Sequence, residues 1–309
     1  MKEVCFFCQG KRLVGTLYAP RSRALINASG APVVVMGHGL SLTRDCGLER
    51  YALRFAEAGM VVLTFDYRGF GQSDGEPREL VSASQQVADY HAALRFVRAL
   101  PEVDAARCAA WGTSYSGGIA LQCAYEDARL EALVLLVPNL DSAATAAFVA
   151  ARVLKTAPWL SLRLLSRALL DVGAGLLGRP PVYAQAMGRV GEWAAYVNDE
   201  SFALMSQIRG PAWKNRIALR ELVRSPLFRP LRHAADLRCP MFIVAADADD
   251  LTPVAPLLEA ARLAGAGAEL HRYPGGHFGM YTGALFEEVA AKQTDFLVRQ
   301  FADGSSPPS

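Results

Sequence analysis

Trp111-Gly112-Thr113-Ser114-Tyr115-Ser116-Gly117-Gly118 follows an apolar run and opens a helical pattern. Arg107–Trp111 reads as a strand and Ser116–Tyr125 as a helix, so Ser114 falls on the turn between them. A serine on a sharp strand-to-helix turn is lifted above the sheet edge, and small neighbours are needed where the two backbones crowd. The helix N-terminus favours negative charge developing beside it. A glycine-rich turn that merely starts a helix looks the same, so the octapeptide alone does not decide its chemistry.

The surrounding chain repeats this rhythm. Candidate strands are Arg12–Tyr18, Val33–Gly37, Val61–Phe65, Leu133–Val137, Met241–Ala246 and Ala268–Tyr273. Helical patterns lie near Leu48–Ala58, Ala83–Ala99, Val254–Ala264 and Ala284–Phe301. Continuous apolar strands alternating with helices predict an α/β fold: a mostly parallel, twisted sheet covered by helices on both faces. The rhythm stops after Pro138 and resumes at Cys239-Pro240. The interval is far longer than an ordinary loop and rich in helix formers. It predicts a helical cap over 139–238 inserted into one core made of 1–138 and 239–302. The polar end, Asp303 to Ser309, reads as a flexible tail.

Composition narrows the function classes. The chain has 309 residues, 52% of them hydrophobic, which is ample for a large core. Basic and acidic side chains number 32 and 30, so a net charge of +2 gives no footprint for nucleic acid. The most apolar stretch, Ala143 to Gly178, is broken by Arg152, Lys155, Arg163 and Arg167, which argues against a transmembrane segment. Met1 to Cys8 is too short for a signal-peptide core, and the cytoplasm is the expected compartment. Cys5-x-x-Cys8 has no second Cys/His pair to complete a zinc site and reads as ordinary cysteines preceding a strand.

A nucleophilic serine needs a base and a group to orient it. Of five histidines, His91 falls in a helix, His233 at the cap's exit and His271 in a strand. His277 lies in the loop after the last strand, at the edge where open α/β sheets place their sites. The acid is expected in the loop after Met241–Ala246, where Asp247, Asp249 and Asp250 compete. One crossover joins that loop to His277. Oxyanion donors are expected at the N–H groups of Leu40, after the strand ending Met36-Gly37-His38-Gly39, and of Tyr115. Asp66-Tyr67-Arg68-Gly69-Phe70-Gly71-Gln72-Ser73 lacks the third glycine of a dinucleotide fingerprint and reads as a loop bracing the site.

Together these motifs resemble the α/β-hydrolase superfamily. Met36-Gly37-His38-Gly39-Leu40 looks like its oxyanion turn, and Asp66 to Ser73 like its Asp-x-Arg-Gly-x-Gly-x-Ser loop. In that family the acid usually precedes a proline by four positions, which selects Asp249 before Pro253. The order Ser114, Asp249, His277 is the family's order. Arg12 to Tyr18, Gly112 to Gly118 and Trp213-Lys214-Asn215 further resemble the dienelactone-hydrolase and S9-peptidase-like branch and the fungal polyketide thiohydrolases and transferases. The chain departs from the pattern at Ser116, where glycine is usual, and at Ala246.

The resemblance implies a serine hydrolase of carboxylic esters or thioesters that needs no metal or organic cofactor. Ser114 rather than aspartate at the nucleophile position disfavours dehalogenase and epoxide-hydrolase chemistry. A peptidase, an acyltransferase or a C–C hydrolase would keep the same three residues, and a non-catalytic receptor could use the same pocket. The expected partner is a small, uncharged, partly apolar acyl compound. Phe148, Trp159, Leu164, Leu165, Leu169 and Leu170 are candidates for its pocket, or for the cap's own core. The cap could equally serve as a homo-oligomer contact or lie on a membrane surface.

Overall fold

A computed structural model of the chain describes residues 1–156 and 158–303. In chain order the first half runs β1 (Lys2–Cys8), β2 (Lys11–Tyr18), β3 (Ala31–Gly37), α1 (Leu48–Glu57) and β4 (Val61–Phe65). It continues through α2 (Ala83–Arg98), β5 (Val103–Thr113), α3 (Tyr115–Glu126) and β6 (Ala132–Leu136). Segment 139–238 then supplies α4 (Ser142–Thr156), α5 (Pro158–Leu176), β7 (Tyr183–Gly188), β8 (Ala194–Val197), α6 (Asp199–Ile208), β9 (Ile217–Ala218) and α7 (Glu221–Arg224). β10 (Met241–Ala246), α8 (Ala255–Ala264), β11 (Ala268–Tyr273) and α9 (Gly283–Asp303) complete it. The expected tail beyond Asp303 lies outside the described residues.

Eight strands form one sheet in the order β1-β2-β4-β3-β5-β6-β10-β11. From β4 to β11 the pairing is parallel, and β2 alone runs against the rest, antiparallel to both β1 and β4. The apolar runs are continuous because both faces are covered. Val33 and Val35 of β3 join a core with Tyr90 of α2, Ile119 of α3 and Leu257 of α8. Val34 and Met36 point the other way, to Phe55 of α1 and to Val289 and Phe296 of α9. Each parity of the strand therefore finds an apolar partner.

Two expectations require correction. Cys5 and Cys8 do not precede the first strand; they lie on β1, which pairs with β2 through the two-residue turn Gln9-Gly10. Both turn residues take positive φ, 49° and 75°, as a tight hairpin requires. Cys5 is exposed while Cys8 is buried, so strand alternation turns the two thiols to opposite faces. The segment after β6 is not purely helical either. Pro180-Pro181 follow α5, and β7, β8 and β9 then form a second, three-stranded sheet. β7 pairs parallel with β8 and antiparallel with β9, burying Ala184, Met187 and Gly188.

Candidate active site

Ser114 sits between β5 and α3 with φ 53° and ψ −124°, a backbone that side-chain-bearing residues rarely adopt. Three main-chain bonds hold it there. Its N–H donates to the carbonyl of Leu136 at 3.0 Å, and its own carbonyl accepts from Gly117 at 2.9 Å and Asn139 at 2.7 Å. The crowding that calls for small residues is direct: a Cβ at Gly112 would enter the carbonyl of Ser116, and one at Gly117 would enter the ring of Pro138. Ser116 is tolerated where glycine is usual because its buried hydroxyl bonds the phenol of Tyr67.

Of the three aspartates after β10, the geometry separates their partners. Asp247 accepts from Arg272 Nε at 2.8 Å at the surface. Asp250 accepts from the Tyr196 hydroxyl and, at 2.8 Å, from the Ser201 hydroxyl, tying this loop to β8 and α6. Asp249 Oδ2 lies 2.8 Å from His277 Nδ1, with both side chains buried. Asp249 also accepts from Leu251 N–H, Thr252 N–H and the Thr252 hydroxyl, each at 2.8 Å. Burial pushes the Asp249 carboxyl up, but His277 and the Thr252 donors outweigh it and hold it below the ordinary carboxylate value. An ionised carboxylate only accepts, so Nδ1 of His277 carries the proton, and in the neutral imidazole Nε2 is then the acceptor.

The other histidines are occupied elsewhere. His91 bonds Glu126 at 2.8 Å, His233 stacks on Tyr125 and His271 stacks on Phe242. His38 is buried, its Nδ1 3.0 Å from the Gly39 carbonyl, while Tyr67 N–H donates to Nε2. Burial lowers its pKa, so the neutral ring shapes the turn at Gly39. That turn abuts the nucleophile position: a Cβ on Gly39 would stand 3.3 Å from the Cβ of Ser114. The Asp66 loop braces it as expected. Asp66 accepts from Arg44 N–H at 2.8 Å and Gln72 N–H at 3.1 Å, and pairs with the Arg44 guanidinium.

Ser114, His277, Leu40 and Tyr115 all line one cavity of about 550 Å³. Its far wall comes from segment 139–238: Val149 and Val153 of α4, Leu162 and Leu165 of α5, Met187 of β7 and Tyr196 of β8. None of its described lining residues is Asp, Glu, Lys or Arg. Of the cap residues expected there, Leu164 and Leu165 line it, whereas Trp159, Leu169 and Leu170 are exposed on the outside of α5. Phe148 is half-buried and stacks under Arg152 instead. Met187, Tyr196 and Met205, unremarked in the sequence, line it because the second sheet and α6 face inwards. Among the described residues no three His, Cys, Asp or Glu side chains cluster as a metal site, and no helix is long and apolar enough to cross a membrane.

The model of the serine aminopeptidase, S33 family matches residues 29–280. The chain therefore belongs to this family of α/β hydrolases. It is 32% identical over 285 residues to the quorum-quenching protein AidA of Acinetobacter baumannii, covering 92% of this chain and 90% of that one. The thiohydrolase apmlB of Arthrinium phaeospermum is 28% identical over 315 residues, covering 95% and 94%. Among solved structures, the α/β hydrolase GrgF from Penicillium superposes with a TM-score of 0.77 at 25% identity, covering 97% of this chain and 99% of that one.

Proposed function

We propose that the chain is a serine hydrolase of carboxylic esters or thioesters with an apolar acyl part, working through an acyl-enzyme on Ser114. The observation that carries this reading is the buried Asp249–His277 pair on the wall of the cavity that holds Ser114. His277 Nε2 takes the Ser114 proton as Oγ attacks the acyl carbonyl, and Asp249 holds the tautomer that leaves Nε2 free to do so. Developing negative charge on the carbonyl oxygen is received by the N–H groups of Leu40 and Tyr115. Tyr115 opens α3, so its N–H is one of the helix's unsatisfied first-turn donors. His277 then returns the proton to the departing alcohol or thiol, and water attacks the acyl-enzyme with the same base.

The uncharged lining supports a neutral acyl substrate and weighs against an exopeptidase, which needs a charge to hold a peptide terminus. The relatives named thiohydrolase support the thioester arm of the reading. The experiment is turnover of a chain-length series of acyl p-nitrophenyl esters and acyl thioesters by the wild type and by Ser114→Ala. The expected result is hydrolysis that the substitution lowers by at least about 10⁴-fold. Wild-type protein inert towards every ester and thioester would overturn the reading, and acyl delivery to an added alcohol or amine in preference to water would redirect it to acyl transfer.

A further inference from the structure

The outer side of α5 is apolar and open. At about 100° per residue Trp159, Leu162, Leu165, Leu169, Leu170 and Leu176 fall on one side of the helix, and each is more than half exposed. Leu164, Ala168 and Asp171, on the opposite side, are the buried ones. Such a continuous stripe is unlike the scattered apolar residues of an ordinary surface. It also runs into the cavity: Leu162 and Leu165, with Leu154 of α4, are at once exposed and part of the cavity wall.

Charge distinguishes the occupants such a face could take. Between Ser142 and Gly191 the chain carries six cations, Arg152, Lys155, Arg163, Arg167, Arg179 and Arg189, and a single carboxylate. All six are exposed, while the carboxylate, Asp171, is buried and paired with Arg220 at 2.9 Å. A second copy docking through this face would bring two positive fields together. An anionic lipid surface instead meets the cations with phosphate and the leucines with acyl chains.

We propose that the outer face of α4 and α5 docks in the plane of an anionic bilayer surface. An apolar acyl compound would then enter the cavity past Leu154, Leu162 and Leu165. The helices lie on the surface rather than span it, since none of the described helices is long and apolar enough to cross. This site is separate from the chemistry at Ser114 and stands or falls without it.

The test is flotation of the purified full chain with phosphatidylcholine vesicles and with equimolar phosphatidylcholine and phosphatidylglycerol vesicles. Binding to the anionic vesicles is expected, with little to phosphatidylcholine alone and less as salt is raised. Trp159 and Leu170 do not line the cavity. The double substitution Trp159→Ser/Leu170→Ser should weaken partition about tenfold or more while leaving turnover of a short, water-soluble ester unchanged. Ser114→Ala should bind vesicles like the wild type, which separates failure here from failure of the hydrolase reading. Three outcomes would overturn the proposal: wild type that stays unbound to anionic vesicles, binding that the double substitution leaves intact, or a solution dimer that the substitution dissociates.

Discussion

The indole Nε1 of Trp213 donates to the main-chain carbonyl of Ser41 at 3.0 Å, joining segment 139–238 to the turn beside Ser114. Ser41 has φ 57°, and its hydroxyl donates to the Arg216 carbonyl at 2.6 Å. Two bonds from the inserted segment thus hold the residue that follows Leu40 in a backbone form costing about 1–3 kcal/mol. The insertion therefore does more than roof the cavity; it sets the turn that carries Leu40, the oxyanion donor proposed above.

Replacing Trp213 by phenylalanine keeps an aromatic ring against the cavity and removes only the N–H. Loss of one hydrogen bond of about 1 kcal/mol that orients Leu40 should lower kcat about fivefold. KM for a short ester should change little, because the cavity wall is retained. Steady-state kinetics beside a thermal melt checks this. A fall in melting temperature with kcat intact would make the bond purely structural.

Ser116 is the chain's departure from the usual glycine, and its hydroxyl bonds Tyr67 inside the core. Ser116→Ala leaves that buried phenol without this partner and should cost about 1–3 kcal/mol in urea denaturation. Restoring the family's glycine should not help, since Ser116→Gly loses the same bond and adds backbone freedom at the start of α3. A glycine variant as stable as the wild type would contradict this account of the departure.

Glu221, the first residue of α7, is buried. Burial pushes its pKa up to about 7, against the smaller pull of Arg224 and Arg220. As pH rises, the unfolded chain releases this proton first, near the ordinary glutamate value of about 4.3. Stability from this group is therefore full below about pH 4, falls as pH climbs, and levels off above about 7. Glu221→Gln cannot ionise, so its advantage over the wild type should open across that window, to at most about 4 kcal/mol at pH 8. Denaturant melts at a series of pH values measure this. A gap that does not change with pH would refute it.

The candidate site was legible because each motif follows a strand, and strand ends in a parallel sheet converge on one edge. Ser114, Asp249 and His277 are far apart in sequence yet come to one edge of the sheet on the loops after β5, β10 and β11. Selecting Asp249 needed the proline spacing, since nothing in its own neighbourhood distinguishes it from Asp247 or Asp250. β1 was missed because Lys2 and Glu3 open it and only Phe6 and Cys8 turn inwards, a pattern too short to read as a strand. The outward direction of Trp159, Leu169 and Leu170 was not readable either. α5 carries apolar residues on both sides, so its periodicity does not say which side meets the core. The second sheet is hard to read for a similar reason: β7, from Tyr183 to Gly188, contains no β-branched residue and two alanines, so it carries little strand signal.

The most direct test of the central claim is covalent labelling by a fluorophosphonate, read by peptide mass spectrometry across a pH series. The probe phosphonylates a serine only where a base removes its proton and donors hold the oxyanion. The expected result is one modified residue, Ser114, whose labelling disappears in His277→Ala and is greatly slowed in Asp249→Asn. A wild type that remains unlabelled, or a label on another serine that persists without His277, would contradict the assignment of Ser114, His277 and Asp249 as a working set.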